Sequence, residues 1–269
     1  MGNPAPGLPA SADVVAGATV SALMARGGHT VPVTSPASDH TSGAPQAAPD
    51  AVRPRYRTVL FDLDGTLADT IPLIVASYQH AFRSVLAQEV EEARARAWIG
   101  RPLLPALLEE SPDHGHELDR VYRAWNLENT ARLIQRYAGV PELLEALAAA
   151  GVRCAVVTSK RRDTASLALE GVGVADLIDV AAGLEDTTRH KPEPDPLLHA
   201  VAALGVEPAD CVYVGDATVD VLAARAAGMA SVAVTWGAGE RAALEAAGPD
   251  AVVDTVPDLA AYLLGQPRP

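Results

Sequence analysis

From Arg57 onward the chain is punctuated by short runs that are apolar almost throughout: Arg57–Phe61, Val152–Val157, Leu177–Ala182, Cys211–Val214, Ser231–Val234 and Ala251–Val253. At three to six residues each, they read as strands buried on both faces. Helical patterns alternate with the later runs, over Val140–Ala150, Arg161–Glu170, Pro196–Leu204, Val219–Ala227, Glu240–Ala247 and Pro257–Leu264. Fully apolar strands alternating with helices require a parallel sheet covered on both faces. Because such crossovers are right-handed, the expected fold is α/β with a doubly wound, Rossmann-like parallel sheet.

One interval breaks the alternation. Residues 70–139 contain no convincing strand but carry helical patterns at Ile71–Ala87, Glu91–Ala97, Leu103–Glu110 and Glu117–Tyr137. An all-helical insertion between the first strand and its following helix predicts a cap domain over the carboxyl edge of the sheet. The expected organisation is therefore a core of residues 56–69 and 140–265 with a helical cap of residues 70–139, hinged near Thr66–Asp69 and Ala138–Gly139. Residues 1–55 are rich in Ala, Pro, Gly, Ser and Thr, with few charges and no sustained period. They read as a disordered extension, of the kind an upstream start codon adds; a targeting or docking role is the alternative.

Composition excludes several functions. The 269 residues include 21 Lys+Arg against 34 Asp+Glu, a formal charge of −13. A chain so acidic repels a phosphodiester backbone, which argues against a nucleic-acid partner. No stretch reaches the ~18 uninterrupted apolar residues of a membrane span, and the amino terminus lacks a secretory signal pattern. Cys154 and Cys211 lie inside apolar runs and form no ligand spacing, so a reducing cytoplasm is the expected location. Of the 21 basic residues only Lys160 and Lys191 are lysines. A compact ammonium is used where a planar guanidinium does not serve, although chance surface placement is the plainer alternative.

In open parallel sheets, ligands bind beyond the carboxyl ends of the strands. The residues there are polar and catalytic in type: Asp62-Leu63-Asp64-Gly65-Thr66 after the first run, Thr158-Ser159-Lys160 after the second, His190-Lys191-Pro192 before a helix, and Gly215-Asp216 with Asp220 following. Asp62 and Asp64 stand two apart, which in extended backbone points both carboxylates the same way. Two close anions require a cation or a shared proton, and a hard divalent ion with Asp216 as a further oxygen ligand fits, Mg²⁺ better than Ca²⁺ or Zn²⁺. Gly65 permits a tight turn, and a simple Asp-rich turn closing a strand remains the alternative for this pattern alone.

Asp62-Leu63-Asp64-Gly65-Thr66-Leu67 after an apolar strand resembles the first motif of the haloacid-dehalogenase-like superfamily. Thr158 resembles its second motif, Lys191 in His-Lys-Pro-Glu-Pro its third, and Val214-Gly215-Asp216 through Asp220 its fourth, in the same order over residues 58–264. The resemblance implies a phosphohydrolase in which Asp62 is the nucleophile and Asp64 the acid and base. It also implies a Mg²⁺ ion held by Asp62, Asp216 and the Asp64 carbonyl. Thr158 and Lys191 would hold the phosphoryl group, with Ser159, Lys160, Gly65 and Thr66 beside it. Asp220 would orient the lysine or a metal-bound water. Lys160 either approaches the leaving group or begins the next helix.

Within the superfamily, Asp64 argues for phosphate rather than halide chemistry, and the absence of lysine from residues 70–139 argues against a phosphonatase. The helical insertion and the runs Val157–Thr164 and His190–Pro194 are most similar to phosphoglycolate phosphatases and related pyrophosphatases, whose substrates carry a second anionic group. Arg101, in the turn between cap helices, is the candidate to grip that group, with Arg83, Gln79 and His80 behind it. A solvated helix face is the plainer reading of each. The expected substrate is a small phosphate monoester or pyrophosphate, and the expected state a monomer or homodimer. A phosphomutase of the β-phosphoglucomutase type and a catalytically silent binding module are the alternatives.

Overall fold

The computed structural model describes residues 53–266, so residues 1–52 of the expected extension lie outside it. Within the described residues, β1 (Thr58–Phe61) and the short β2 (Ala68–Asp69) lead into four helices. These are α1 (Ile71–Leu86), α2 (Glu92–Arg96), α3 (Leu103–Glu110) and α4 (Gly115–Leu133). After β3 (Gln135–Arg136) and α5 (Val140–Ala149), strands and helices alternate: β4 (Arg153–Val157), α6 (Arg162–Gly171), β5 (Asp179–Ala182), α7 (Asp195–Leu204), β6 (Cys211–Gly215), α8 (Thr218–Ala226), β7 (Ala230–Val234), α9 (Arg241–Ala247), β8 (Ala251–Val253) and α10 (Val256–Leu264).

Six strands form one parallel sheet in the order β5-β4-β1-β6-β7-β8. The chain winds outward from β1 to β5 on one side and from β6 to β8 on the other, so the winding reverses between β1 and β6. That reversal opens a crevice at the carboxyl ends of these two strands. Both are buried along their whole length. Alternate side chains supply the two cores: Val59 and Phe61 join Val156, Val212 and Val214 on one face, while Leu60 joins Val157, Cys211 and Tyr213 on the other.

Local signals set the boundaries of the helices. Proline occupies the first turn of α1, α5, α7 and α10, where its missing N–H costs nothing. At the start of α10 the Thr255 side chain accepts from the Asp258 N–H. The inserted helices have a core of their own, centred on Ile74, Tyr78, Phe82, Trp98, Leu118 and Tyr122.

Two expectations change at the edges. The helix predicted through Tyr137 ends at Leu133, and Gln135–Arg136 pair antiparallel with Ala68–Asp69. The two chain crossings between sheet and insertion are thus zipped together at the expected hinge. Tyr137 packs against Trp236, with ring centroids 6.3 Å apart, and donates its hydroxyl to the Trp236 carbonyl at 3.3 Å. These partners lie about a hundred residues away in sequence, so helical periodicity carried no trace of them. At the amino-terminal side, Arg55 donates its backbone N–H to the Leu263 carbonyl at 2.9 Å and lies over the Tyr262 ring. The last residue assigned to the extension is therefore fastened to α10.

Candidate active site

The sheet delivers its polar residues to the crevice between β1 and β6. Asp62 follows β1, and its N–H continues the ladder by donating to the Val214 carbonyl at 2.8 Å, which places it level with the end of β6. Asp216 follows β6, and Asp220 lies in the first turn of α8. Oxygens of Asp62, Asp216 and Asp220 lie within 4.8 Å of one another, and all three residues are buried.

Lys191 enters this group from the segment before α7 and is itself buried. Its ammonium donates to Asp220 Oδ1 at 2.6 Å, Asp62 Oδ1 at 3.0 Å and the Tyr213 hydroxyl at 3.0 Å, which uses all three of its donors. Tyr213 in turn donates to the Val157 carbonyl at 2.7 Å. Burial alone would lower the lysine pKa, but Asp220 and Asp62 outweigh it and hold the pKa well above the ordinary value. Lys191 therefore bridges carboxylates in this structure.

Asp216 is fixed from three sides. It accepts from Thr66 Oγ1 at 3.2 Å and from the Ala238 N–H at 2.6 Å. A Cβ on Gly65 or Gly237 would lie 2.3 or 2.1 Å from its Oδ2. Gly65 is also required for its backbone, at φ +82°. Asp220 has both oxygens engaged, one by Lys191 and the other by the Ala217 N–H at 2.9 Å.

Three buried carboxylates sharing one ammonium leave an excess of negative charge. Burial pushes the Asp62 and Asp216 pKa values up, and neighbouring carboxylates push in the same direction. The remedy is a divalent cation: the donors are all hard oxygens, closely spaced, with glycines leaving room around Asp216. A divalent metal fits these residues.

Asp64 departs from the spacing argument. Its carboxylate accepts from Thr70 Oγ1 at 2.6 Å and from Lys160 Nζ at 2.8 and 3.0 Å, outside the acidic cluster. The chain turns after Asp62, with the N–H groups of Thr66, Leu67 and Ala68 all directed to the Leu63 carbonyl, so the extended-strand rule does not apply. What Asp64 has left to offer a metal is its backbone carbonyl. Lys160 is likewise not simply the start of a helix: α6 begins at Arg162 and the ammonium reaches Asp64.

In front of Asp62 and Asp64 lies a cavity of about 270 Å³, bounded by Thr158 and Lys160 below and by the inserted helices above. Thr158 is buried at the end of β4, and its Oγ1 accepts from the Lys160 N–H at 3.1 Å. Ser159 donates to the Gly100 carbonyl at 3.1 Å, so its hydroxyl ties the sheet to the insertion. Gly65 and Thr66 do not line the cavity; they pack against Asp216 on the other side of Asp62.

The arginine candidates separate. Arg101 lines the cavity while pairing with Glu109. Arg83 pairs with Glu89 at the surface, Gln79 donates to the Val90 carbonyl and His80 stacks on Trp125, and none of the three reaches the cavity. Arg123 and Asn126 of α4 do line it, and sequence reasoning missed both. The apolar periodicity of α4 gives no hint, since the residues facing the cavity mix charged, amide and aromatic types. Tyr213 was missed because it sits in a strand read only as core. A hydroxyl in a fully buried run was the available signal.

Fold and site define the class. This is a doubly wound α/β hydrolase whose carboxylates and buried lysine meet where the winding reverses, under a helical insertion. The chain belongs to the haloacid dehalogenase-like hydrolase family, whose model matches residues 59–234. It is 34% identical over 205 residues to pyrophosphatase PpaX of Bacillus velezensis, covering 76% of this chain and 95% of that protein. Pyrophosphatase PpaX of Halalkalibacterium halodurans is 34% identical over 202 residues, with 75% and 94% covered. Among solved structures, a predicted phosphoglycolate phosphatase from Haemophilus somnus superposes with TM-score 0.68 at 27% identity, covering 76% of this chain and 96% of that one. A predicted phosphatase from Clostridium acetobutylicum gives 0.70 at 26%, covering 78% and 99%. The protein is a phosphohydrolase. No helix among the described residues is long and apolar enough to cross a membrane.

Proposed function

We propose that this enzyme is a Mg²⁺-dependent phosphatase working through an aspartyl-phosphate on Asp62, with a phosphate monoester or a diphosphate as substrate. The observation that carries the reading is the position of Asp62. It stands between the acidic cluster with Lys191 behind it and the cavity containing Asp64 in front. An Asp62 oxygen forms a bond to phosphorus as the bond to the leaving oxygen breaks, and that oxygen takes a proton from Asp64. Water then attacks the phosphorus of the aspartyl-phosphate, gives a proton back to Asp64 and releases phosphate with Asp62 restored.

Asp62, Asp216 and the Asp64 carbonyl are the residues to hold Mg²⁺, which when bound neutralises charge on the phosphoryl oxygens. Lys191 and Asp220 keep Asp62 aimed, while Thr158 offers its hydroxyl to the phosphoryl group. Residues 56–69 and 140–265 act as the catalytic core and residues 70–139 as a cap that excludes water. We place the enzyme in the cytoplasm as a monomer or homodimer, without nucleic-acid or membrane partners.

Asp62→Asn is the test. Phosphate release in Mg²⁺ should fall to background while the variant still folds, as a cooperative melting transition shows, even though its Tm shifts with the loss of the buried contact to Lys191. Retention of wild-type turnover by purified Asp62→Asn would remove the nucleophile assignment.

A further inference from the structure

The part of the cavity beyond the phosphoryl site has a chemistry of its own. Its roof is aromatic: Tyr78 lies with its ring centroid 4.9 Å from Trp98 and 4.8 Å from Tyr122, and all three line the space. Ile74, Leu103 and Leu184 continue the apolar wall. At the mouth stands Leu127, 55% exposed, the most exposed of the large hydrophobic side chains among the described residues. A total of about 270 Å³ approaches the ~300–1,000 Å³ typical of sites for small organic ligands. Inorganic pyrophosphate and phosphoglycolate carry almost no apolar surface and would leave this wall wet.

Beside the apolar wall, α4 supplies a cation. Arg123 lines the cavity, and both of its hydrogen bonds to Asp119, at 2.9 and 2.8 Å, run through Nε. The terminal Nη groups of the fork are thereby kept for a ligand, and Asp119 fixes the guanidinium plane. Arg101 is differently placed, because its Nη2 is already spent on Glu109. Asn126, one turn from Arg123, is buried and donates to Ser77 Oγ at 3.0 Å, which fixes the α4 face against α1.

We infer that the preferred substrate is an organic phosphate monoester whose leaving group has an apolar body, seated on Tyr78, Trp98 and Tyr122, and a second anionic group held by Arg123. The inference rests on the phosphohydrolase reading and narrows its substrate class. A carboxylate or a phosphate satisfies the Arg123 fork equally, and the apolar body sets this substrate apart from pyrophosphate.

The test uses the full chain in Mg²⁺ with ethyl phosphate, benzyl phosphate, benzyl phosphate bearing a para-carboxylate, phosphoglycolate and pyrophosphate. The benzyl and ethyl esters are alkyl phosphates, so the comparison stresses binding of the group rather than its departure. We expect kcat/KM to rise from ethyl to benzyl and again to the carboxylated ester, which should exceed pyrophosphate about tenfold or more, the scale of one charge-assisted contact. Arg123→Leu should lower the ratio of carboxylated to plain benzyl ester by about tenfold, with Arg123→Lys recovering part of it. The surface variant Arg83→Gln should leave that ratio where it was. Because the readout is a ratio within one preparation, partial misfolding cancels.

Pyrophosphate or phosphoglycolate matching or exceeding the benzyl esters overturns the apolar-body assignment, and an unchanged ratio in Arg123→Leu overturns the anion assignment. Failure of the phosphohydrolase reading looks different: no ester releases phosphate, or Asp62→Asn retains turnover.

Discussion

Lys191→Met isolates the electrostatic principle of this site. Methionine approximates the length of the lysine stem and removes only the ammonium, which leaves Asp62 and Asp220 buried without their shared cation. Breaking a buried ion pair from one side costs about 3–5 kcal/mol, since the remaining charge stays desolvated. For a folded body of 150–250 residues, each kcal/mol moves Tm by about 2–4 °C, so the metal-free variant should melt roughly 6–20 °C below wild type. Differential scanning fluorimetry at pH 7 in chelator reads this directly. Saturating Mg²⁺ should recover part of the loss, because a divalent cation supplies some of the missing positive charge. The double variant Lys191→Met/Asp220→Asn should lose less than the sum of the single variants, since removing one carboxylate relieves the charge that the first substitution stranded. Additive losses, or a metal-free Tm within about 2 °C of wild type, would show that the network does not carry the charge of the site.

Other perturbations probe separate contacts. Gly237→Ala puts a Cβ 2.1 Å from Asp216 Oδ2 and should weaken metal affinity about 10–100-fold, read by Mg²⁺ titration of activity and of Tm. In the metal-free protein the burial-raised pKa of Asp62, about 7, means the folded state binds more protons than the unfolded chain between the ordinary aspartate value and that point. Stability should therefore fall as pH rises from about 4 to 7, and the increment in Tm given by Mg²⁺ should grow over the same interval. Equal stability across that range in chelator would contradict the burial argument. Ser159→Ala removes the hydroxyl donated to Gly100, a contact worth about 1 kcal/mol. It should lower kcat/KM about fivefold by loosening the insertion over the site, measurable as phosphate release at limiting substrate.

The scarcity of lysine had a structural meaning. Both lysines stand beside the carboxylates that matter, Lys191 on Asp62 and Asp220 and Lys160 on Asp64. The Asp-x-Asp spacing was less informative than it looked, because the turn after Asp62 sends the second carboxylate to a different cation.

By itself the sequence determined the parallel sheet, the helical insertion and the identity of the residues at the strand ends. Those features follow from local periodicity and from the rule that strand tips bear function, both of which act over a few residues. Only the tertiary structure decided what each polar group faces. Asp216 meets Thr66 and Ala238 across 150 and 22 residues, Lys191 meets Asp62 across 129, and Ser159 meets Gly100 across 59. The cavity followed the same rule: α4 brings Arg123 rather than Arg83 to it because packing of α1 against α4 chooses which face turns inward. Such pairings depend on the relative placement of whole elements, and no pattern within a single helix or strand records them.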